Sequence, residues 1–371
     1  MTSHRILHLP KWFPDHTDAQ NGIFIDLQIQ ALNTAHQHCI FSLSKNNTLN
    51  KRWRVLKSIV ENRTYIQIEY MPSHLLYNLF IQAFLYLKFA FPEAKKSSII
   101  HSHVLGRNMG FAYLFSMFSK AKLVHSEHWS LLLDKNKWDS KPWLYRVFAR
   151  CLLNKPEDIA CVSSALAKAL NRIQPKAKTC VIPNVIRPEN KTKSPKNDQF
   201  TFIHISDLRD DIKNISGLNS AFSLAQQSGL DAELWIVGSG VDEQKLKAQA
   251  KSCSEIKFLG AANHDQVYDL LPQAHVLVLN SLSETFGMVV LEAFANGLPV
   301  VCAKNGVSDT FVNQDSGICV PIKDNQALAK ALIDIKANFE HFDVEYIKSK
   351  AELCSAYHVG NQIDRMYSGL F

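Results

Sequence analysis

Short apolar runs rich in β-branched residues alternate with helix-length segments along the whole chain. Residues 6–9, 39–43, 99–104, 122–126 and 159–162 read as strands, with a helix over residues 23–34 between the first two. These runs are continuously apolar rather than alternating, the mark of strands covered on both faces, and strand–helix alternation builds parallel sheets. A polar, proline-containing stretch, RPENKTKSPKNDQ at 187–199, breaks the rhythm. It restarts with strands at 200–205, 233–238, 256–259, 275–280 and 299–303. The pattern predicts an α/β protein of two Rossmann-like, doubly wound domains, residues 1–186 and 200–355, with 187–199 as the hinge. Ligands of open α/β sheets bind beyond the C-terminal ends of the strands. The two domains are therefore expected to face each other across a cleft that holds the active site and closes around its ligand.

One segment does not fit this rhythm. Residues 75–91, LLYNLFIQAFLYLKFAF, are apolar and aromatic, but Asn78, Gln82 and Lys88 interrupt them, and the run falls short of the ~20 apolar residues of a membrane span. It reads first as a buried helix of the first domain. The other reading is an amphipathic helix resting on a membrane beside Lys51, Arg52, Arg54 and Lys57.

The 371 residues, 46% hydrophobic and 20% charged, are ordinary for a globular protein of two or three domains. The eight cysteines show neither CxxC pairs nor zinc-ligand spacing and read as reduced core residues. The first ten residues are too short an apolar run for a secretory segment, so a cytoplasmic protein is expected. The net charge of +7 is unevenly placed. Residues 1–186 carry 24 Lys/Arg against 11 Asp/Glu, and the remainder 17 against 23. A basic first half suggests an anionic partner, such as the inner face of a membrane or a phosphorylated acceptor. No helix-turn-helix, RNP or finger pattern supports nucleic acid as that partner.

The richest chemistry lies in residues 280–303, NSLSETFGMVVLEAFANGLPVVCA. A strand ends, a polar loop with Glu284 and Gly287 follows, and a helix starts near Met288. Free N–H groups at a helix start, with a glycine allowing close approach, suit a diphosphate. Glu292 stands on a helix that is apolar on nearly every side, and a carboxylate buried there needs a partner. Ribose hydroxyls could donate to it, while Glu284 reaches hydroxyls of a transferred sugar. Alternatively, Glu292 pairs with a neighbouring cation and Glu284 acts as an anion at the helix start.

The run SETFGMVVLEAFANGLPVV resembles the E-x7-E signature of the retaining glycosyltransferase family 4, which has the GT-B fold. The resemblance implies that Glu284 contacts the donor sugar, that Glu292 binds the ribose, and that Phe286, Gly287 and Met288 lie on the loop against the diphosphate. Residues 11–32 are similar to the family's first loop, with Gly22 close to the phosphates. SIIHSHV and KLVHSEHW look like the strands that bring His103 and His128 into the site, His128 foremost. LWIVGSG, with Gly238, is similar to a nucleotide-binding strand, and residues 356–371 to the helix that returns to the first domain. In HISDLRDDIKN, Lys213 matches the family's diphosphate clamp, but Asp207 stands where an Arg is usual, and Arg209 could supply that cation. NGVSD at 305–309 also departs from the usual Gly-Gly followed by Glu.

The expected substrate is a UDP- or GDP-sugar, and the acceptor a glycan or lipid-linked hydroxyl, as in cell-surface polysaccharide synthesis. No Asp-x-Asp motif is present, and neither metal nor cofactor is expected. Two other readings stay open: a sugar-nucleotide 2-epimerase, and a non-catalytic scaffold that binds sugar nucleotides.

Overall fold

The computed structural model describes residues 3–18, 20–186, 195–284, 286–305 and 308–371. The chain divides into two compact units, Met1–Val185 with Ala356–Phe371, and Ile186–Ser355. Most of the stretch 187–199, residues 187–194, lies outside the described residues.

The first unit is built on an eight-stranded sheet in the order β3-β4-β2-β1-β5-β6-β7-β8. The strands are β1 (Arg5–Pro10), β2 (Gln37–Lys45), β3 (Trp53–Val60), β4 (Arg63–Tyr70), β5 (Ile99–His103), β6 (Lys122–Glu127), β7 (Asp158–Cys161) and β8 (Thr179–Val181). All pair in parallel except β3, which folds back antiparallel on β4. The apolar runs read as strands are central and buried. The β3–β4 hairpin was not legible, because β3 is exposed along most of its length and interleaves Arg54 and Lys57 with its apolar residues. Charged side chains on an edge strand discourage pairing with another chain.

Helix α1 (Ile23–Gln30) opens at Gly22, whose φ of 70° is left-handed. A Cβ there would sit 2.5 Å from the backbone of Trp12, so both the conformation and the close approach require glycine. Helix α2 runs unbroken over Leu75–Ala94, with a π turn at Tyr86–Ala90. It is long and apolar enough to cross a membrane by length and composition. The reading of this segment as a buried helix needs correction. Ile81, Leu85, Tyr86 and Ala90 join the core with Leu7, Phe41 and Ile68, whereas Leu75, Leu76, Leu79, Phe80, Phe84 and Leu87 are exposed. Helices α3 (Arg107–Ser119), α4 (Trp143–Leu153) and α5 (Ser164–Ile173) follow. The C-terminal helix Ala356–Ser368 packs Val359, Ile363 and Tyr367 into a cluster with Ile6, Ile99 and Val124 of this unit.

The second unit has a six-stranded, wholly parallel sheet, ordered β11-β10-β9-β12-β13-β14. Its strands are β9 (Thr201–Ile205), β10 (Glu233–Val237), β11 (Ile256–Gly260), β12 (Val276–Leu279), β13 (Val300–Ala303) and β14 (Gly317–Val320). The order steps outward in both directions from the β9/β12 pair, the doubly wound pattern whose switch point is a ligand crevice. The helices that matter below are α6 (Asp210–Lys213), α7 (Ile215–Gln227), α8 (Met288–Ala295) and α9 (Asn325–Ala337). Two α/β units, one on a wholly parallel sheet and one on a sheet parallel but for its edge strand β3, agree with the predicted fold class. All eight cysteines are free, and Cys151 is exposed rather than in a core.

Gly238 closes β10 with a φ of 137°, and a Cβ on it would lie 1.8 Å from the Ser206 carbonyl oxygen. Gly238→Ala is therefore expected to strain the β9 and β10 loop ends and destabilise the second unit by about 2–3 kcal/mol. Urea denaturation checks this, and an unchanged midpoint would show that the turn is not under that constraint.

Candidate functional site

In the second unit, the switch point gathers several of the residues read from sequence. After β12 the chain enters the loop 280–287, tied down at two places. Leu282 donates its N–H to the Ile212 carbonyl at 2.8 Å, and the Asn280 side-chain amide donates to the Asn214 carbonyl at 3.0 Å. Both acceptors flank Lys213, at the α6–α7 junction where Asn214 takes a left-handed φ of 49°. The result is an ion pair between elements 71 residues apart, with Lys213 Nζ donating to Glu284 Oε1 at 2.6 Å. The two side chains are only 21% and 12% exposed, so the pair is sheltered from water.

Gly287, with φ 72°, starts α8, and Met288 is the first helical residue, so free N–H groups of that turn lie close behind Glu284 in sequence. Phe286 is buried edge-to-face on Phe311 at 5.6 Å, which anchors the loop and leaves only its backbone for a ligand. Glu292 is buried on α8. Arg209 precedes α6, but its half-exposed guanidinium pairs with Asp211 at 3.4 Å. Asp207 is exposed. Residues 306 and 307 of NGVSD lie outside the described residues.

Sequence reasoning passed over His204. It is fully buried on β9, with Nδ1 on the Val278 carbonyl at 2.9 Å and Nε2 on Ser206 Oγ at 2.8 Å. Burial lowers its pKa to about 4, opposed by that carbonyl and by the Glu284 carboxylate, while Lys213 lowers it further. A neutral imidazole therefore lies within electrostatic reach of the Lys213–Glu284 pair.

The first unit carries a second concentration of polar groups, centred on Glu127, which was also missed. This wholly buried carboxylate accepts from four N–H groups: those of Leu105 at 3.0 Å, His128 at 2.8 Å, Trp129 at 2.9 Å, and His125 Nε2 at 3.2 Å. Burial alone would raise its pKa, but His125 and the backbone donors hold it below the usual value. Glu127 thus shapes the loop that presents His128. The His128 ring lies tilted against Phe24, ring centres 4.7 Å apart, with the Asn184 side chain near it but neither ring nitrogen within hydrogen-bond geometry of a described group. Burial takes its pKa to about 4, against the opposing charge of Glu127.

His103 was expected to face a ligand. The structure places it in a chain of buried imidazoles, with Nε2 at 3.1 Å from His8 Nδ1, and His8 Nε2 in turn 3.1 Å from His38 Nδ1, while His103 Nδ1 has no hydrogen-bond partner among the described residues. His101 stacks on His103 at 4.0 Å between ring centres and bonds Tyr367 and Ser126. Ligand atoms of His8, His101 and His103 lie within 4.8 Å of one another and could hold a metal ion. Both nitrogens of His8 and of His101 are, however, already committed to hydrogen bonds. Gly22, His103 and His128 belong to the first unit; Gly238, Arg209, Lys213, Glu284 and Glu292 belong to the second.

Comparison with known proteins matches the same division. Residues 23–190 match Glycosyltransferase Family 4, and residues 186–347 match Glycosyl transferases group 1. The chain is 29% identical over 197 residues to the phosphatidyl-myo-inositol mannosyltransferase of Mycobacterium leprae, covering 50% of this chain and 52% of that one. It is 26% identical over 301 residues to one of the subunits of human phosphatidylinositol N-acetylglucosaminyltransferase, covering 73% and 58%. The chain thus spans little more than half the length of these relatives. Among solved structures, sucrose-phosphate synthase from Thermosynechococcus elongatus superposes with a TM-score of 0.75 at 17% identity, covering 99% of both chains. Anabaena HepE in complex with UDP and glucose gives 0.75 at 18% identity, covering 99% of this chain and 100% of that one. At such identities the likeness concerns the fold, and it is the GT-B fold. With the two family matches together spanning residues 23–347, the chain belongs to glycosyltransferase family 4.

Proposed function

We propose that this protein transfers a sugar from a UDP- or GDP-sugar to a hydroxyl of a glycan or lipid-linked acceptor. The observation that carries the reading is the sheltered Lys213–Glu284 pair beside the start of α8. A diphosphate leaving group needs positive charge, which Lys213 and the first N–H groups of α8 supply. Glu284, within one side-chain length, accepts from sugar hydroxyls, and Glu292 from the ribose, as the family signature implies. Relatives named for N-acetylglucosamine and mannose transfer to phosphatidylinositol, and a structural neighbour holding UDP and glucose, support this class of substrate.

In the reaction an acceptor oxygen bonds to the anomeric carbon as the bond from that carbon to the phosphate oxygen breaks. The acceptor enters on the face from which the diphosphate departs, and the diphosphate takes both the electron pair and the hydroxyl proton, so the configuration is retained and no protein nucleophile is needed. Lys213 does the work a divalent cation would otherwise do, and we propose metal-independent action at the cytoplasmic face of a membrane, in the assembly of cell-surface polysaccharide.

The test is calorimetric titration, in EDTA, with UDP, GDP and their sugar conjugates. One nucleotide should bind, and Glu292→Gln should weaken it at least tenfold, equal to ~1.4 kcal/mol. Binding of none would favour the non-catalytic reading that Asp207, in place of the usual Arg, keeps open. Binding unaffected by Glu292→Gln would remove the ribose from Glu292.

A further inference from the structure

The first unit contains a cavity of about 810 Å3 walled by the end of β1, the start of α3, and helices α2 and α4. Its charge is one-sided. Lys11, Lys45, Arg107 and Lys141 line it, and no carboxylate among the described residues does. The nearest buried carboxylate shown to act on Lys11, Glu127, is already engaged by four N–H donors. Burial lowers the Lys11 pKa to about 8; Glu127 opposes the shift and Lys141 adds to it. Lys11 Nζ lies 3.6 Å over the Trp129 ring and donates to the Leu105 carbonyl at 3.0 Å. Clustered cations in a cavity without counter-charge make a site for a multiply charged anion.

The remaining wall is apolar and aromatic, including Trp12, Tyr86, Tyr145 and Phe148. That character continues onto the open faces of both flanking helices. On α4, Trp143, Leu144, Val147 and Phe148 are exposed at i, i+1, i+4 and i+5, one helical stripe, and Phe148 belongs to both cavity and stripe. On α2, Leu75, Leu76, Leu79 and Phe80 repeat the spacing, with Phe80 74% exposed, while Gln82 and Tyr86 of the same helix line the cavity. Contiguous exposed apolar stripes around a concave site mark an interaction surface. A free sugar acceptor would need neither four cations nor apolar stripes at the rim.

We propose that this cavity binds the phosphate or diphosphate head of an amphiphilic acceptor, whose apolar chain leaves along the exposed faces of α2 and α4. The proposal rests on the transferase reading for the role of acceptor, and the cations give the head its place. It also accounts for an apolar helix of which one face is exposed among the described residues.

Farnesyl diphosphate, inorganic diphosphate and farnesol serve as probes in calorimetry of the full chain. Farnesyl diphosphate is expected to bind at least tenfold more tightly than either fragment. Lys45→Gln with Lys141→Gln should weaken it at least tenfold; these two are chosen because Lys11 and Arg107 also tie local structure, to Leu105 and Gln82. Phe148→Ser should weaken farnesyl diphosphate but not inorganic diphosphate. Inorganic diphosphate binding as tightly as farnesyl diphosphate would point to a soluble phosphorylated ligand and overturn the proposal, and so would indifference to the cavity variants. UDP and GDP titrated against the same proteins separate the two readings. A wild-type protein that binds a nucleotide but not farnesyl diphosphate sinks the amphiphile site alone, whereas one that binds farnesyl diphosphate but no nucleotide sinks the transferase reading and with it the role of acceptor, leaving the amphiphile site.

Discussion

Lys213→Ala is expected to lower kcat by ~10²–10³ with whichever nucleotide sugar the wild type turns over, the range found when one preorganised donor to a developing anion is removed. The effect falls on kcat because negative charge accumulates on the diphosphate as the bond to the sugar breaks, and Lys213 is the sheltered cation held beside the α8 loop. The variant also leaves Glu284, 12% exposed, without its ion-pair partner, at a cost of ~1–3 kcal/mol of stability. Denaturation must therefore accompany the kinetics. Arg209→Ala provides the contrast. Its guanidinium is half-exposed and pairs with Asp211, so its loss should stay within about tenfold. Equal losses in the two variants would mean that Arg209 swings onto the diphosphate and that the pairing with Asp211 is incidental. An unchanged kcat in Lys213→Ala would leave the start of α8 as the sole stabiliser of the leaving group.

The reason this pair could be anticipated, and its geometry could not, is physical. The buried strands advertise themselves through continuous apolar runs, and the helix over Glu292 through a carboxylate on an otherwise apolar surface. Residues 71 apart meet only because Leu282 and Asn280 reach back to Ile212 and Asn214, whose carbonyls are backbone groups that carry no sequence signal. Glu127 was missed for a similar reason. Its four N–H partners include three backbone groups, so nothing in KLVHSEHW distinguishes it from a surface glutamate. The β3–β4 hairpin escaped because an edge strand studded with Arg and Lys has neither buried continuity nor clean alternation. His103 shows another limit of the sequence. Its position at a strand end was right, but the packing of neighbouring imidazoles, decided by the register of β1 and β5, directs its Nε2 to His8.

Those imidazoles lead to the second large effect, a loss of stability in mild acid. The chain His38–His8–His103 needs one proton per hydrogen bond, which neutral rings supply, and burial opposes adding a charge to them. Burial lowers the pKa of His8, His101 and His103 well below the ordinary value, and the neighbouring imidazoles and, for His8, Arg63 lower them further. His38 falls to about 4 through burial and Arg63, and His128 to about 4 through burial opposed by Glu127. A histidine whose pKa is lower folded than unfolded stabilises the fold fully above the unfolded value, ~6.5, and loses that contribution as pH falls toward the folded value. Between pH 6.5 and 4 the unfolded chain binds more protons, so stability rises with pH across that window. A shift from 6.5 to about 4 is worth about 3 kcal/mol for each such group once both forms are protonated. Five of the six tryptophans lie in the first unit, so fluorescence-detected urea unfolding reports chiefly on it. The midpoint should fall steeply from pH 7 to pH 5, and replacing His8 and His101 by Gln should flatten the slope by up to two protons. His204 and His275, each lowered to about 4 by burial, give the second unit a shallower dependence of the same sign. A midpoint constant over this range would require imidazoles that bind their protons equally well folded and unfolded, which a neutral hydrogen-bonded chain inside a sheet cannot do.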